Sequence, residues 1–296
     1  VLILTEGDSA KAMAISGMAA EQRDIYGVYP LRGKFVNVSE ISDTKLRQNS
    51  EVCAIISILG LKFGVEYTDA NLHTLRYGGV KIMTDQDHDG SHIKGLIINL
   101  FHHFFPSLLK IPNFLTFFIT PIIKVGQDLE FFTLPEYENY VKKKNNTAKI
   151  TTKYYKGLGT NTAAEAKKYF QNMDKYSLPV DPLVEPDDSD RITLAVDKVN
   201  ADLRKEWLAL TRRDTFLDQS VESITYTDFI DRELVLFSMA SNARAIPSIV
   251  DGFKPGARKI LFSCFKRNLT KEIKVAQLAG YVSEKSGYHH GEMSLN

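Results

Sequence analysis

Two cysteines, Cys53 and Cys264, and one tryptophan, Trp207, are all that 296 residues contain of those types. Two thiols so far apart exclude a disulfide framework and a CxxC metal clip, so a reducing compartment is the expectation. No apolar run reaches the ~18 residues of a membrane-spanning helix, and no charged-then-apolar leader opens the chain, so neither a span nor a signal peptide is expected. Charge of one sign is also missing, because 37 Lys+Arg face 36 Asp+Glu. Any surface for a polyanion must therefore be local. With 44% apolar and 25% charged residues, the composition is that of folded domains rather than disordered or collagenous chains. The length suits two domains, each with its own core. Val1 opens inside an apolar run and Met293 to Asn296 closes without tail-like composition, so the chain is expected to be an internal piece of a larger protein.

What is present begins with Val1-Leu-Ile-Leu4, followed by Thr5-Glu6-Gly7-Asp8-Ser9 and an Ala-rich stretch to about Arg23. Apolar run, turn and helix-forming stretch predict strand, turn, helix. The order recurs at Val80-Lys-Ile-Met83, the turn Thr84 to Ser91, and apolar residues at Ile93, Leu96, Ile97, Leu100, Phe101, Phe104, Phe105 and Leu108. Gaps of three and four put those residues on one helix face, with Pro106 kinking its end. Two such units imply an α/β fold with a parallel, Rossmann-like sheet, whose ligands gather beyond the carboxyl ends of the strands. Ile150 to Tyr155 predicts another strand, leading through Lys156-Gly-Leu-Gly-Thr160 to a helix opened by the capping pair Thr162 and Glu165. Lys142 to Lys144 reads as a solvated loop rather than a targeting signal. Pro179 to Asp190, rich in prolines and acids, reads as a solvated connector. Asp228 to Ser238 and Ala257 to Lys266 are again helical. The expected division is residues 1–125, an extension and connector over 126–222, and a second domain from 223, with the boundary between Ser220 and Thr227.

Asp85-Gln-Asp87-His-Asp89-Gly90 places three carboxylates at alternating positions on one turn. Their mutual repulsion makes a cation the natural partner. A calcium EF-hand is rejected, because its twelfth position would be Leu96 rather than a bidentate Glu and a strand precedes the loop. An Asp-x-Asp phosphotransfer loop fits His88 and Asp89 poorly and leaves Glu6 unexplained. The plain alternative is a solvated turn with helix-capping acids. His88 and His92 lack the further ligands of a zinc site. If the two strands lie close in the sheet, Glu6 joins the Asp pair as an oxygen donor set suited to Mg²⁺, with positions left for phosphate oxygens.

Glu6-Gly-Asp-Ser-Ala10 with Asp85-x-Asp87-x-Asp89-Gly resembles the Toprim domain of topoisomerases, primases and some nucleases. Pro30-Leu-Arg-Gly-Lys34 with Asn37, Ile82 to Ile93, Tyr154 to Thr160, Arg204-Lys-Glu-Trp207, Ile246-Pro-Ser-Ile-Val-Asp-Gly-Phe-Lys-Pro-Gly-Ala-Arg-Lys259 and Tyr288-His-His-Gly-Glu292 narrow the resemblance to type IIA DNA topoisomerases. The Val-Asp-Gly-Phe-Lys-Pro run follows the Toprim region without a break, as in the eukaryotic branch and its viral relatives, where the two subunits are fused. The stretch from Trp207 to Tyr226 is shorter than the family pattern.

The resemblance implies an ATP-hydrolysing isomerase. Such an enzyme breaks both strands of DNA through a tyrosyl phosphodiester, passes a second duplex and religates, in the service of chromosome segregation. It implies Mg²⁺ held by Glu6, Asp85 and Asp87, with Asp89 a further ligand through water and Glu6 also the acid/base group. DNA contacts are implied for Lys34, Asn37, Lys156, Arg204, Lys205, Lys254, Arg258, Lys259, Tyr288, His289 and His290, beside Arg32 in the same turn as Lys34. From Asp251 to Lys274, seven Lys or Arg stand against two acids, the local polyanion footprint. The resemblance makes this the start of a truncated winged-helix domain. It also implies double-stranded DNA as partner, a homodimer for the full protein, a nuclear location and no membrane. ATP would bind outside this chain, since Pro30 to Lys34 lacks the Walker spacing. The nucleophilic tyrosine would lie beyond Asn296, leaving this chain inactive alone.

Overall fold

The computed structural model describes residues 1–126, 129–144, 152–155, 157–212, 214–288 and 290–296. They form two compact units, Val1–Phe237 and Ser238–Asn296. In the first, β1 (Leu2–Glu6), β2 (Gly27–Leu31), β3 (Val80–Met83), β4 (Leu115–Phe118) and a later strand at Ser177–Pro179 build one sheet. Its order is β2-β1-β3-β4 followed by the Ser177–Pro179 strand, parallel except for the last, which pairs antiparallel to β4. The expected α/β fold with a parallel sheet is what forms.

Successive side chains of a strand face opposite ways, and both faces of this sheet are covered. Leu2, Leu4, Val80, Ile82, Leu115 and Phe117 pack with Ile55, Leu59, Ile97 and Phe101 of the helices Ser50–Leu59 and His88–Phe104. Ile3, Met83 and Phe118 pack instead with Ala10, Met13 and Ala14 of Gly7–Gly17 and Tyr169 and Phe170 of Ala163–Gln171. Burial on both sides explains the near-continuous apolar strands. The helix after β3 ends at Phe104, and Pro106 begins a separate short helix at its N1 position, where a proline needs no N–H partner. That is a break rather than a kink.

A smaller antiparallel sheet joins Leu129–Phe131, Ile123–Val125 and Thr152–Tyr154. Residues 150 and 151 of the expected strand lie outside the described residues. Lys142 to Lys144 end the helix Leu134–Lys144, so this stretch is helical rather than a loop. The Thr162–Glu165 capping box forms as expected. Pro179 to Asp190 is no solvated connector: Val180, Leu183 and Asp188 are buried. Asp188 accepts hydrogen bonds from the Val184 and Thr227 N–H groups, an internal use of an acid that composition hides. Tyr226, Phe229, Ile230 and Leu234 are buried in the first core, so the first unit extends to Phe237, past the expected boundary at 222. The apolar face of that helical stretch is what holds it there.

The second unit contains the helices Pro255–Lys266 and Val275–Ser286, which pack on each other around Ser263, Ala279 and Val282.

Candidate metal centre and nucleic-acid interface

β1 pairs with β2 on one side and β3 on the other, so the direction of winding reverses between β1 and β3. Open α/β sheets bind ligands beyond the carboxyl ends at such a point. The register Thr5↔Met83 brings Glu6 level with the turn that begins at Thr84. Glu6 Oε2 accepts a hydrogen bond from the Asp85 N–H at 3.1 Å. Asp85 Oδ1 in turn accepts from the Leu158 N–H at 2.7 Å. A Cβ on Gly157 would collide with the Asp85 carboxylate, so this glycine permits the close approach. Asp87 is the N-cap of His88–Phe104, accepting from the Gly90 N–H at 2.8 Å. A Cβ on Gly90 would likewise collide with the Asp85 carbonyl oxygen. Asp89 faces Lys34 Nζ at 2.9 Å, and that lysine also stands over the Phe237 ring.

The electrostatics follow from this crowding. Burial drives the Glu6 carboxyl up to about 7 against the Asp85 N–H bond, and the charges of Asp85, Asp87 and Asp89 push the same way. Burial also raises Asp85, opposed by the Leu158 N–H. Glu6 and the Asp85 turn are thus brought together, but each carboxylate is engaged by an N–H group or by Lys34. Among the described residues, no three His, Cys, Asp or Glu side chains are gathered closely enough to hold one ion between them. At the turn, Thr84 Oγ1 is buried without a hydrogen-bond partner among the described residues.

The expected DNA contacts divide. Asn37 is turned inward: its Nδ2 donates to the Val196 carbonyl, and its Oδ1 accepts from the Ser39 N–H and Asn99 Nδ2. The Arg204 guanidinium donates to the carbonyls of Leu194 and Asp197, at the end of the helix Asp187–Val196. Lys205 is exposed and paired with Asp202 at 2.6 Å. Lys156 and His289 lie outside the described residues. In the second unit, Lys254, Lys259, Tyr288 and His290 line a concavity of about 650 Å³ with Arg244. Lys259 stands over the Tyr288 ring, and Lys254 is the N-cap of Pro255–Lys266. Arg258 differs, since Asp251 holds its guanidinium through two hydrogen bonds of 2.6 and 2.7 Å.

Sequence reasoning missed the docking of Gly157 and Leu158 on Asp85. The available signal was the paired glycines of Lys156-Gly-Leu-Gly.

Three family models match the chain in succession. They are the Toprim domain over residues 1–119, the C-terminal associated domain of TOPRIM over 118–242, and the DNA gyrase/topoisomerase IV family over 244–296. DNA topoisomerase 2 of Meyerozyma guilliermondii is 50% identical over 301 residues, covering 99% of this chain and 21% of that protein. DNA topoisomerase 2-beta of Homo sapiens is 52% identical over 310 residues, covering 99% and 19%. The chain thus spans about a fifth of the length of these relatives. The crystal structure of the Plasmodium falciparum topoisomerase II DNA-binding, cleavage and re-ligation domain superposes with a TM-score of 0.89 at 46% identity, over 99% of this chain and 40% of that one. With a parallel sheet carrying the acidic turns, three matched models in unbroken order and about half of all positions identical, the chain belongs to the type IIA DNA topoisomerase family, on its eukaryotic DNA topoisomerase II branch.

Proposed function

We propose that this chain is the metal-binding and part of the DNA-binding portion of an ATP-dependent type II DNA topoisomerase. The observation that carries the reading is the meeting of Glu6 with the Asp85 turn at the winding reversal of the sheet. The donor set is oxygen only, as Mg²⁺ requires, and Thr84 Oγ1 is a buried oxygen at the same turn with no hydrogen-bond partner among the described residues. Glu6, Asp85 and Asp87 would hold the ion by drawing closer than they stand here, in exchange for the N–H bonds that now engage them, with Asp89 through water. When bound, Mg²⁺ offsets charge on the phosphate oxygens as the DNA phosphodiester is exchanged for a tyrosyl phosphodiester.

The chain's own residues do the rest. Glu6, its carboxyl pushed up to about 7 by burial, suits proton transfer at the 3′-oxygen. Leu158 N–H fixes Asp85. Lys254 and Lys259, with Tyr288 and His290, contact the DNA backbone, as does Lys34 although Asp89 pairs with it, and the N-terminus of Pro255–Lys266 adds its own attraction for phosphate. Arg258, Lys205 and Arg204 contribute less, being held by Asp251, Asp202 and backbone carbonyls respectively. Asn37 shapes its loop. Lys156 and His289 contact DNA as the family resemblance implies. The protein divides into a Toprim part, its associated extension and a winged-helix start, with the last junction at Phe237. The nucleophilic tyrosine and the ATP site belong to the parts of the protein outside this chain. That protein works as a homodimer on double-stranded DNA in the nucleus.

The full-length protein, given supercoiled plasmid, Mg²⁺ and ATP, should relax it and leave a covalent protein–DNA adduct on denaturation, whereas residues 1–296 alone should do neither. In the full-length protein, Asp85→Ala should depress cleavage much more than DNA binding. Nicking without adduct would instead indicate a Toprim nuclease.

A further inference from the structure

One lysine lies inside the buried face of the helix His88–Phe104. Lys94 is 1% exposed, its ammonium 2.8 Å from Glu233 Oε1 and 4.9 Å from the centre of the Phe117 ring. Glu233 is buried as well, and its other oxygen, Oε2, has no hydrogen-bond partner among the described residues. As a stabilising device this is poor, because two desolvated charges rarely outperform a well-packed apolar pair, and an unsatisfied oxygen adds to the cost.

The position of the pair is more informative. The Ser91 hydroxyl lies 2.8 Å from the same Glu233 Oε1 and 3.1 Å from the Asp87 carbonyl, its hydrogen shared between the two. Asp87 caps this helix and Asp89 lies in its first turn. Glu233 itself sits in a π-helical turn, Ile230–Leu234, whose extra residue re-aims side chains and which recurs at functional sites. Leu234 fills the notch left by Gly95, since a Cβ there would lie 3.0 Å from it. One turn on, the Phe237 ring stacks on His92 at 3.9 Å and underlies Lys34, the lysine facing Asp89. Residues 233–237 therefore reach the acidic turn by two routes, directly at Ser91 and through Lys34 to Asp89.

We propose that Glu233 is a positioning residue for the acidic turn, acting through Ser91 to hold Asp87 and Asp89 in the orientation that receives a divalent cation. The inference rests on the metal reading above. Groups one shell removed from metal ligands typically change affinity by ~10-fold or more when altered. The segment at 233–237, rather than the sheet alone, then sets the metal response.

The test uses the full-length protein and Mn²⁺ binding followed by electron paramagnetic resonance without DNA, beside DNA affinity, melting temperature and the Mg²⁺ dependence of cleavage. Ser91→Ala and Glu233→Gln should each weaken Mn²⁺ binding by ~10-fold and raise the Mg²⁺ needed for half-maximal cleavage in parallel, with DNA affinity unchanged. Because Glu233→Gln strands the Lys94 charge, the neutral double variant Lys94→Met/Glu233→Leu guards against misfolding. It should melt no lower than wild type and still bind Mn²⁺ weakly. Wild-type metal binding in Ser91→Ala, or in the double variant, would overturn the proposal and leave the pair a packing feature. A wild-type protein that binds no Mn²⁺ would overturn the metal reading itself, and this inference with it.

Discussion

Gly157 and Asp85 make a pair in which one residue exists for the other's position. The glycine backbone is extended there, so its need is for space alone. Gly157→Ala should displace the Asp85 carboxylate and lose the Leu158 bond, and misplacement on the 1 Å scale costs about 100-fold in rate. Cleavage by the full-length protein should fall by about that factor while the melting temperature barely moves. Glu130 offers a different residue-scale test. Its side chain is 3% exposed and receives Lys168 at 2.9 Å, Lys175 at 2.7 Å and the Tyr176 hydroxyl at 2.8 Å. Burial opposes ionisation, but the bonds from Lys175, Lys168 and Tyr176 prevail and bring the group down from 4.5 to about 2. Burial likewise opposes the ionisation of Glu165, but bonds from Thr162, Tyr155 and Lys153 bring it down to about 2. A carboxyl depressed by folding stabilises fully above its unfolded value of about 4.5 and loses that contribution as pH falls towards 2. The melting temperature should therefore drop across that window, and Glu130→Gln should flatten the drop while lowering stability at pH 7.

At the scale of elements, the helices Gly7–Gly17 and Ala163–Gln171 meet where Gly17 lies against Ala166 and Phe170. A Cβ on Gly17 would come within 2.5 Å of Phe170 Cδ2 and 2.9 Å of the Ala166 carbonyl oxygen. A carbonyl in a packed helix cannot step aside, and overpacking of this kind costs about 1–3 kcal/mol. Gly17→Ala should therefore destabilise the protein by about 2 kcal/mol in denaturant unfolding, although alanine is the better helix former by ~1 kcal/mol. An unchanged or raised midpoint would show that the helices can part there without loss. The consequence reaches the metal turn, because Glu6 is the N-cap residue of the helix Gly7–Gly17.

For the whole molecule, a charge close to zero hides a strongly uneven distribution, with acids gathered at the strand ends and cations in the second unit. Neutralising Lys254 and Lys259 in the full-length protein should reduce the slope of log affinity against log salt by roughly one unit per lost phosphate contact. Adding Arg258→Gln should change the slope less, since Asp251 already neutralises that guanidinium. A slope unmoved by the Lys254 and Lys259 changes would make the cluster a solvated face. Sequence preference should hardly alter, because backbone contacts carry none.

Periodicity and turn chemistry alone determined the strand-turn-helix units, the acidic turns at the strand ends and the capped helix at Thr162. Each is a local property, readable from residues a few positions apart. The family motifs were equally legible, since six of them stand in order along the chain. Tertiary structure decided the rest. Asn37 and Arg204 are residue types suited to DNA contacts, yet Asn37 is bonded to Val196 and Asn99 far along the chain, and the Arg204 guanidinium is taken by the carbonyls of Leu194 and Asp197 at the end of the preceding helix. Glu233 and Lys94 are 139 residues apart, and Leu158 reaches Asp85 across 73. The connector composition of Pro179 to Asp190 concealed an aspartate that ties two segments together, and the first unit runs to Phe237 because its core needed the apolar face of 226–234. Partners of this kind are set by the closing of the sheet and its two helical layers, and no local pattern in either segment encodes which distant group will be opposite.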